Sequence, residues 1–226
     1  MFTGIIAATG EVIAFVQAEA GTARLTVAGP RELVATLKTG DSVAVSGVCL
    51  TALAIEPNAM PARVSADLAA ETLARTTLSR LTAGAKVNLE LPTPAGSPLG
   101  GHVVQGHVDG MGILMALEPV RVGGESDWKL RVRLPSALMR YVVEKGSITI
   151  EGISLTVAGL SDGAEGDEIW IAILPHTYSA TNLHALRPGD GVNIEVDVLA
   201  KYAEGRARGE LSERELTIEY LLANGY

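Results

Sequence analysis

Apolar and polar side chains alternate along short stretches of this chain. GEVIAFV (10–16), ARLTVA (23–28), SVAVSG (42–47), VCLTALAI (48–55), ARVSAD (62–67) and KVNLEL (86–91) are rich in β-branched residues and bounded by Gly, Pro or Asn. A period of two turns one side of each stretch towards a core, so all six read as strands. Two segments break the rhythm. PRELVATLK (30–38) opens on a proline, which suits the first position of a helix, and ETLARTTLSRL (71–81) also reads as a short helix. Six short strands and two small helices suggest a closed antiparallel barrel, in which closure removes exposed sheet edges.

The whole rhythm then returns. Residues 24–91 laid on 129–196 without a gap are identical at seventeen of sixty-eight positions: GVCLT falls on GISLT, ETLARTTL on HTYSATNL, and GAKVNLE on GDGVNIE. Nearer the N-terminus the shift becomes 102, with Gly4 on Gly106, Gly10 on Gly112 and Ala14 on Ala116. A period of this length is a small domain rather than a solenoid repeat. The expectation is an all-β protein of two tandem six-stranded barrels with short helices. The first covers residues 1–97 and the second 98–202, meeting in the Pro- and Gly-rich LPTPAGSPLGG (91–101). The tail, 203–226, begins with the polar EGRARGE (204–210). It then offers Ser212 and Glu215 as a capping box before apolar residues at 218, 221 and 222, which predicts a C-terminal α-helix with an apolar stripe.

Composition narrows the function. The 226 residues are 47% hydrophobic and 19% charged, an ordinary globular balance. A net charge of −8 argues against nucleic acid, whose affinity rests on phosphate neutralisation, and 4% aromatics leave few stacking platforms. No apolar run approaches the ~18 residues of a membrane span. MFTGIIAATGEV lacks a basic n-region and carries Glu11, so no signal peptide is expected. A single cysteine, Cys49, excludes an intrachain disulfide framework and fits a reducing cytoplasm.

Three pairs of segments hold the candidate chemistry. Gly4, Ile5 and Ile6 pair with Gly106, His107 and Val108. Cys49, Leu50 and Thr51 pair with Ser154, Leu155 and Thr156. Asp67, Leu68, Ala69, Ala70, Glu71 and Thr72 pair with Ala172, Ile173, Leu174, Pro175, His176 and Thr177. Small, backbone-rich stretches beside a hydroxyl, thiol or imidazole suit a flat polar heterocycle, and a pocket in one copy implies its homologue in the other. Each residue also has a plainer reading: Cys49 as a small buried hydrophobe, Thr51 and Thr156 as strand residues, Lys145 as the cation after a helix. His102 and His107 lie five residues apart, on opposite faces of an extended segment, with no further ligand cluster, so no metal is expected. No GxGxxG follows a strand.

Together the strings MFTGII (1–6), SGVCLT (46–51), GGHVVQGHVDG (100–110), EGISLTV (151–157), ILPHT (173–177) and VNIEVDVLAKY (192–202) resemble the riboflavin synthase family of α-chain type, over about residues 1–202. The resemblance implies that each repeat is a six-stranded Greek-key barrel and that C-terminal helices hold a homotrimer. It implies dismutation of two 6,7-dimethyl-8-ribityllumazine molecules, by four-carbon transfer, to riboflavin and 5-amino-6-ribitylaminouracil. No metal or organic cofactor is implied. The site would lie between the N-barrel of one subunit and the C-barrel of its neighbour, and lumazine synthase is a candidate partner. The family's binding segments map onto Gly4–Ile6, Cys49–Thr51 and Asp67–Thr72 in the first barrel. In the second they map onto Gly106–Val108, Ser154–Thr156 and Ala172–Thr177, with Lys145 as a further contact. His107, Cys49 and Ser154 stand nearest the chemistry, His107 as proton shuttle and His102, facing away, with a smaller role. Ser46 and Glu151 depart from the Asn or Asp common at those places. The alternatives are a non-catalytic, antenna-type lumazine- or flavin-binding protein of the same fold, and a flavin-dependent reductase barrel. The first would have altered the site strings; the second would need a nucleotide-binding α/β domain after residue 202.

Overall fold

The computed structural model describes residues 1–18, 21–121, 126–163 and 166–207. In the first repeat the strands are β1 (Ala8–Gln17), β2 (Ala23–Ala28), β3 (Ser42–Val45), β4 (Val48–Thr51), β5 (Ala54–Glu56), β6 (Arg63–Leu68) and β7 (Lys86–Glu90). The second has β8 (Gly110–Pro119), β9 (Trp128–Arg133), β10 (Ser147–Ile150), β11 (Ile153–Thr156), β12 (Gly159–Gly163), β13 (Gly166–Ile173) and β14 (Gly191–Val196). The two antiparallel sheets have the same order, β4-β3-β7-β1-β2-β6-β5 and β11-β10-β14-β8-β9-β13-β12.

Six expected strands per copy become seven because the stretch 48–55 changes partners midway. Its first half pairs with β3 and its second with β6. At the corner Ala52 N donates to the Asp41 carbonyl and Leu53 N to that of Ser65. One bent strand thus joins the two ends of the sheet and closes the barrel. β1 and β8 each carry a bulge, at Val12/Ala14 and Leu114/Ala116, which adds the bend that closure needs.

The alternation in the sequence becomes two separate cores. Leu25, Leu68, Leu78, Val87 and Leu89 fill one; Leu114, Leu130, Ile148, Ile150, Ile169 and Ile171 fill the other. Each such side chain contributes about 1.5–3 kcal/mol on burial.

Both predicted helical stretches are shorter than their patterns. Only α1 (Arg31–Val34) forms within 30–38. Residues 71–81 divide into α2 (Ala70–Arg75) and a 3-10 turn, Thr77–Arg80. Between them Thr76 is extended (φ −126°), its hydroxyl donating to the Thr72 carbonyl and accepting from Leu78 N. The second repeat copies this plan with α3 (Ser136–Met139), α4 (Pro175–Ala180) and a 3-10 turn, Asn182–Ala185. A further helix, α5 (Val198–Ala207), occupies part of the stretch expected to be irregular. The Asp197 carboxylate accepts from Leu199 N and caps its start, and Arg140 pairs with Glu204 at 3.4 Å. The helix expected from Ser212 lies outside the described residues.

A buried polar brace joins the barrels. Asn88 on β7 accepts from Asn182 N (2.7 Å) and donates to the Glu151 carbonyl (2.9 Å) and Asn182 Oδ1 (2.8 Å). Its repeat mate Asn193 on β14 accepts from Thr77 N (2.8 Å) and donates to the Ser46 carbonyl (2.9 Å). The Glu151 carboxylate accepts from Asn193 N and Asn182 Nδ2, and burial pushes its pKa upwards. Ser46 and Glu151 both sit at positive φ, 45° and 53°, ahead of Gly47 and Gly152, where the two hairpin turns meet back to back. That conformation is what Asn or Asp tolerates best.

Candidate active site

The N-terminal segments of the two repeats cross. Phe2, fully buried, forms a β-bridge with Val104: Phe2 N donates to the Val104 carbonyl (2.8 Å) and Val104 N returns the bond (3.1 Å). Beyond the bridge each segment enters the opposite barrel. The Gly4 carbonyl accepts from Ser154 N (2.8 Å), and the Gly106 carbonyl accepts from Cys49 N (2.9 Å). Ile6 packs on the second core and Val108 on the first.

This corrects the grouping expected from sequence. Gly4, Ile5 and Ile6 belong with Ser154, Leu155 and Thr156, while Gly106, His107 and Val108 belong with Cys49, Leu50 and Thr51. The close approach also explains the two glycines. Their φ angles are 75° and 77°, and a Cβ on either would lie 2.7 Å from that of Ser154 or Cys49.

In the first barrel a cavity of about 320 Å³ is lined by Cys49, Glu71, Thr72, Arg75, Gly106, His107, Val108 and Asp109, among others. It unites three separate segments, 48–49, 71–76 and 106–109, and its volume is near the lower size limit of ligand sites. Of the other expected residues, Leu50 and Leu68 point into the core and supply only backbone. Thr51, Ala69 and Ala70 are exposed, and Asp67 is forked onto Arg24 at 2.7 and 3.0 Å. That ion pair holds the Asp67 carboxyl below its ordinary pKa.

Around Ser154 the same framework carries different chemistry. The positions matching Asp67, Glu71 and Arg75 are Ala172, His176 and Ala180, so these carboxylates and this guanidinium have no counterpart in the second repeat. Leu155 and Ile173 face the core; Thr156, Leu174 and His176 are exposed, and Pro175 and Thr177 lie in the first turn of α4. Lys145, at φ 66°, holds its amino group in solvent, 3.8 Å from Glu144.

The reactive neighbour of Ser154 is His102: Nδ1 lies 2.7 Å from the Ser154 hydroxyl oxygen. Burial pushes the His102 pKa below its ordinary value, against the opposing pull of Asp197. A neutral imidazole at that distance can take the hydroxyl proton. The two histidines serve different places, His102 beside the Ser154 hydroxyl and His107 in the cavity at Cys49. The minor role expected for His102 therefore has no geometric basis.

Sequence reasoning also passed over Asn88, Glu90, Asn193 and Glu195. Their signal was the shared VNLE and VNIE, in which polar residues recur at the outward positions of a strand whose inward positions are apolar. Among the described residues no three His, Cys, Asp or Glu side chains meet as metal ligands, and no helix is long and apolar enough to cross a membrane.

Paired barrels with exchanged entrance segments define a tandem lumazine-binding protein: the Lumazine binding domain model matches residues 3–92 and 105–197. The chain belongs to the riboflavin synthase family. It is 47% identical to the riboflavin synthase of Mycobacterium bovis over 206 residues, covering 90% of this chain and 96% of that one. It is 37% identical to that of Actinobacillus pleuropneumoniae over the full length of both. Among solved structures it is similar to LumP complexed with riboflavin (TM-score 0.76, 26% identity, 87% of this chain and 99% of that one). LumP complexed with 6,7-dimethyl-8-(1'-D-ribityl) lumazine is alike at a TM-score of 0.73, with the same identity and coverage.

Proposed function

We propose that the protein converts two molecules of 6,7-dimethyl-8-ribityllumazine into riboflavin and 5-amino-6-ribitylaminouracil by transfer of a four-carbon unit. One observation carries the reading. Two equivalent places in the repeat differ in their reactive atom, a thiol at Cys49 and a histidine-bonded hydroxyl at Ser154. A dismutation needs two similar substrates in unlike roles. One lumazine must lose a proton from its 7-methyl group, and the other must accept a nucleophile or water at C7. The His102–Ser154 pair suits the addition; the Cys49 and His107 side of the first pocket suits the methyl group. Holding both rings in register supplies much of the rate.

Binding would use Gly4–Ile6, Ser154–Thr156, Lys145 and Ala172–Thr177 on one side, and Gly106–Val108, Cys49–Thr51 and Asp67–Thr72 on the other. A homotrimer would bring the N-barrel of one chain to the C-barrel of the next. Lumazine synthase is the partner that would supply the substrate, and the single cysteine suits a cytoplasmic enzyme. Purified protein incubated with dimethylribityllumazine should develop riboflavin absorbance. Stoichiometric binding without turnover would instead support an antenna-type protein.

Two further results are expected. Cys49→Ser should keep most of the turnover and Cys49→Ala lose more, because Ser154 already serves at the matching place; steady-state rates of the two variants decide this. The acid limb of kcat/KM should have its midpoint below 6.5, the ordinary histidine value. With a depressed pKa, His102 stays neutral through pH 6.5 and is lost as a base only as pH falls through its lower value. His102→Ala should remove that limb and lower turnover by about 100-fold. A pH–rate profile left unchanged would exclude His102 as the base.

A further inference from the structure

Val87-Asn88-Leu89-Glu90 on β7 and Val192-Asn193-Ile194-Glu195 on β14 are the same construction twice. The apolar residues enter their own core, so Asn and Glu face outwards. Asn88 and Asn193 brace the barrels. The glutamates do something else. Glu90 is 5% exposed, and its carboxylate accepts from Thr3 N (2.7 Å), the Thr3 hydroxyl (3.0 Å) and Gly4 N (3.1 Å). Glu195 is 2% exposed and accepts from Gln105 N (2.8 Å), Gly106 N (2.9 Å) and His107 N (3.1 Å). In both places the donors belong to the crossing segment.

Burying a carboxylate is costly unless several donors converge on it, and bonds to an ionised acceptor are the strong ones. The Glu90 nest therefore fixes two consecutive peptide N–H groups and the Glu195 nest three, and with them the direction of a carbonyl. In the Glu90 nest that carbonyl is Gly4's, bound to Ser154 N; in the Glu195 nest it is Gly106's, bound to Cys49 N. Each carboxylate belongs to one barrel, while the segment it holds is bonded to the reactive position of the other.

We infer that Glu90 and Glu195 are positioning residues acting crosswise: Glu90, in the first barrel, shapes the Ser154 pocket, and Glu195, in the second, shapes the Cys49 pocket. The kinetic meaning of this rests on the proposed function; the geometry does not. Replacing a glutamate by glutamine turns one acceptor oxygen into a donor that faces peptide N–H groups, and the held segment loosens.

The single cysteine makes the test direct. In the otherwise unaltered protein, Glu195→Gln should raise the rate at which a small aromatic disulfide modifies Cys49 by roughly tenfold, while Glu90→Gln leaves it unchanged. In the doubly substituted chain Cys49→Ser, Ser154→Cys, the thiol now sits in the other pocket and the pattern should reverse. Glu195→Asp and Glu90→Asp, which keep the charge, should show the same crossed pattern in weaker form, and they serve if a Gln variant does not fold. General destabilisation would expose both thiols in both variants and would overturn the proposal. So would a same-barrel pattern, or no change in either thiol. The thiol pattern decides the matter whether or not the protein turns over lumazine, which the riboflavin absorbance assay tests separately.

Discussion

Gly4→Ala should cut turnover by at least about 100-fold while a ligand still binds the Cys49 pocket. An added methyl would lie 2.7 Å from both the Cβ and the N of Ser154, and 3.0 Å from its Cα. Backbone cannot step aside as a flexible side chain can. Gly4 also sits at φ 75°, where a Cβ costs about 1–2 kcal/mol. The segment must back away, and with it go the bond to Ser154 N and part of the Glu90 nest. Gly40→Ala is the control: its φ is 95°, yet an added Cβ meets nothing within 4 Å. It should lose stability from strain alone and keep its rate. Steady-state kinetics with titration of riboflavin tests both, and near-normal turnover in Gly4→Ala would remove the Ser154 pocket from the mechanism.

Asn88→Ala should lower the stability of the joined barrels by roughly 3–5 kcal/mol, one of the larger effects expected of a single substitution. Three hydrogen bonds disappear, and Asn182 N and the Glu151 carbonyl lose a partner at buried residues. Because each barrel has its own core, the loss should fall on their coupling. Calorimetry should show one transition in the parent chain and two overlapping transitions in Asn88→Ala, with Asn193→Ala behaving alike through Thr77 and Ser46. A single transition at an unchanged midpoint would show that the brace contributes nothing.

Strands and the repeat were legible because a period of two depends on local sequence alone. The division of 48–55 was not, since Ala52 and Leu53 bend only when Asp41, just before β3, and Ser65, in β6, offer their carbonyls. Cys49, Ser154 and the crossing glycines stood out as matched strings, but the match itself concealed the exchange. Gly4 and Gly106 are equivalent in sequence, so alignment of the copies cannot say which barrel either serves. Phe2, Val104 and the two carboxylates decide that in three dimensions. His102 left no trace in the internal comparison because the position matching it would precede Met1. Spacing alone suggested that it faced away from His107, and it gave no hint that the Ser154 hydroxyl lay beside it.

The exchanged entrance segments also govern how the two halves can change over generations. A single repeat standing alone would carry a reactive side chain without the segment that meets it, and a carboxylate holding a segment with nowhere to dock. The smallest heritable unit with a complete pocket is therefore the pair. Within that pair the side chain at this place can drift, as Cys49 and Ser154 have, because the crossing segment is bound through the backbone N of either residue. The glycines and glutamates cannot drift in the same way: a change in one copy is felt as damage in the other. Divergence of chemistry and constancy of scaffold thus follow from one piece of topology, the crossing at Phe2 and Val104.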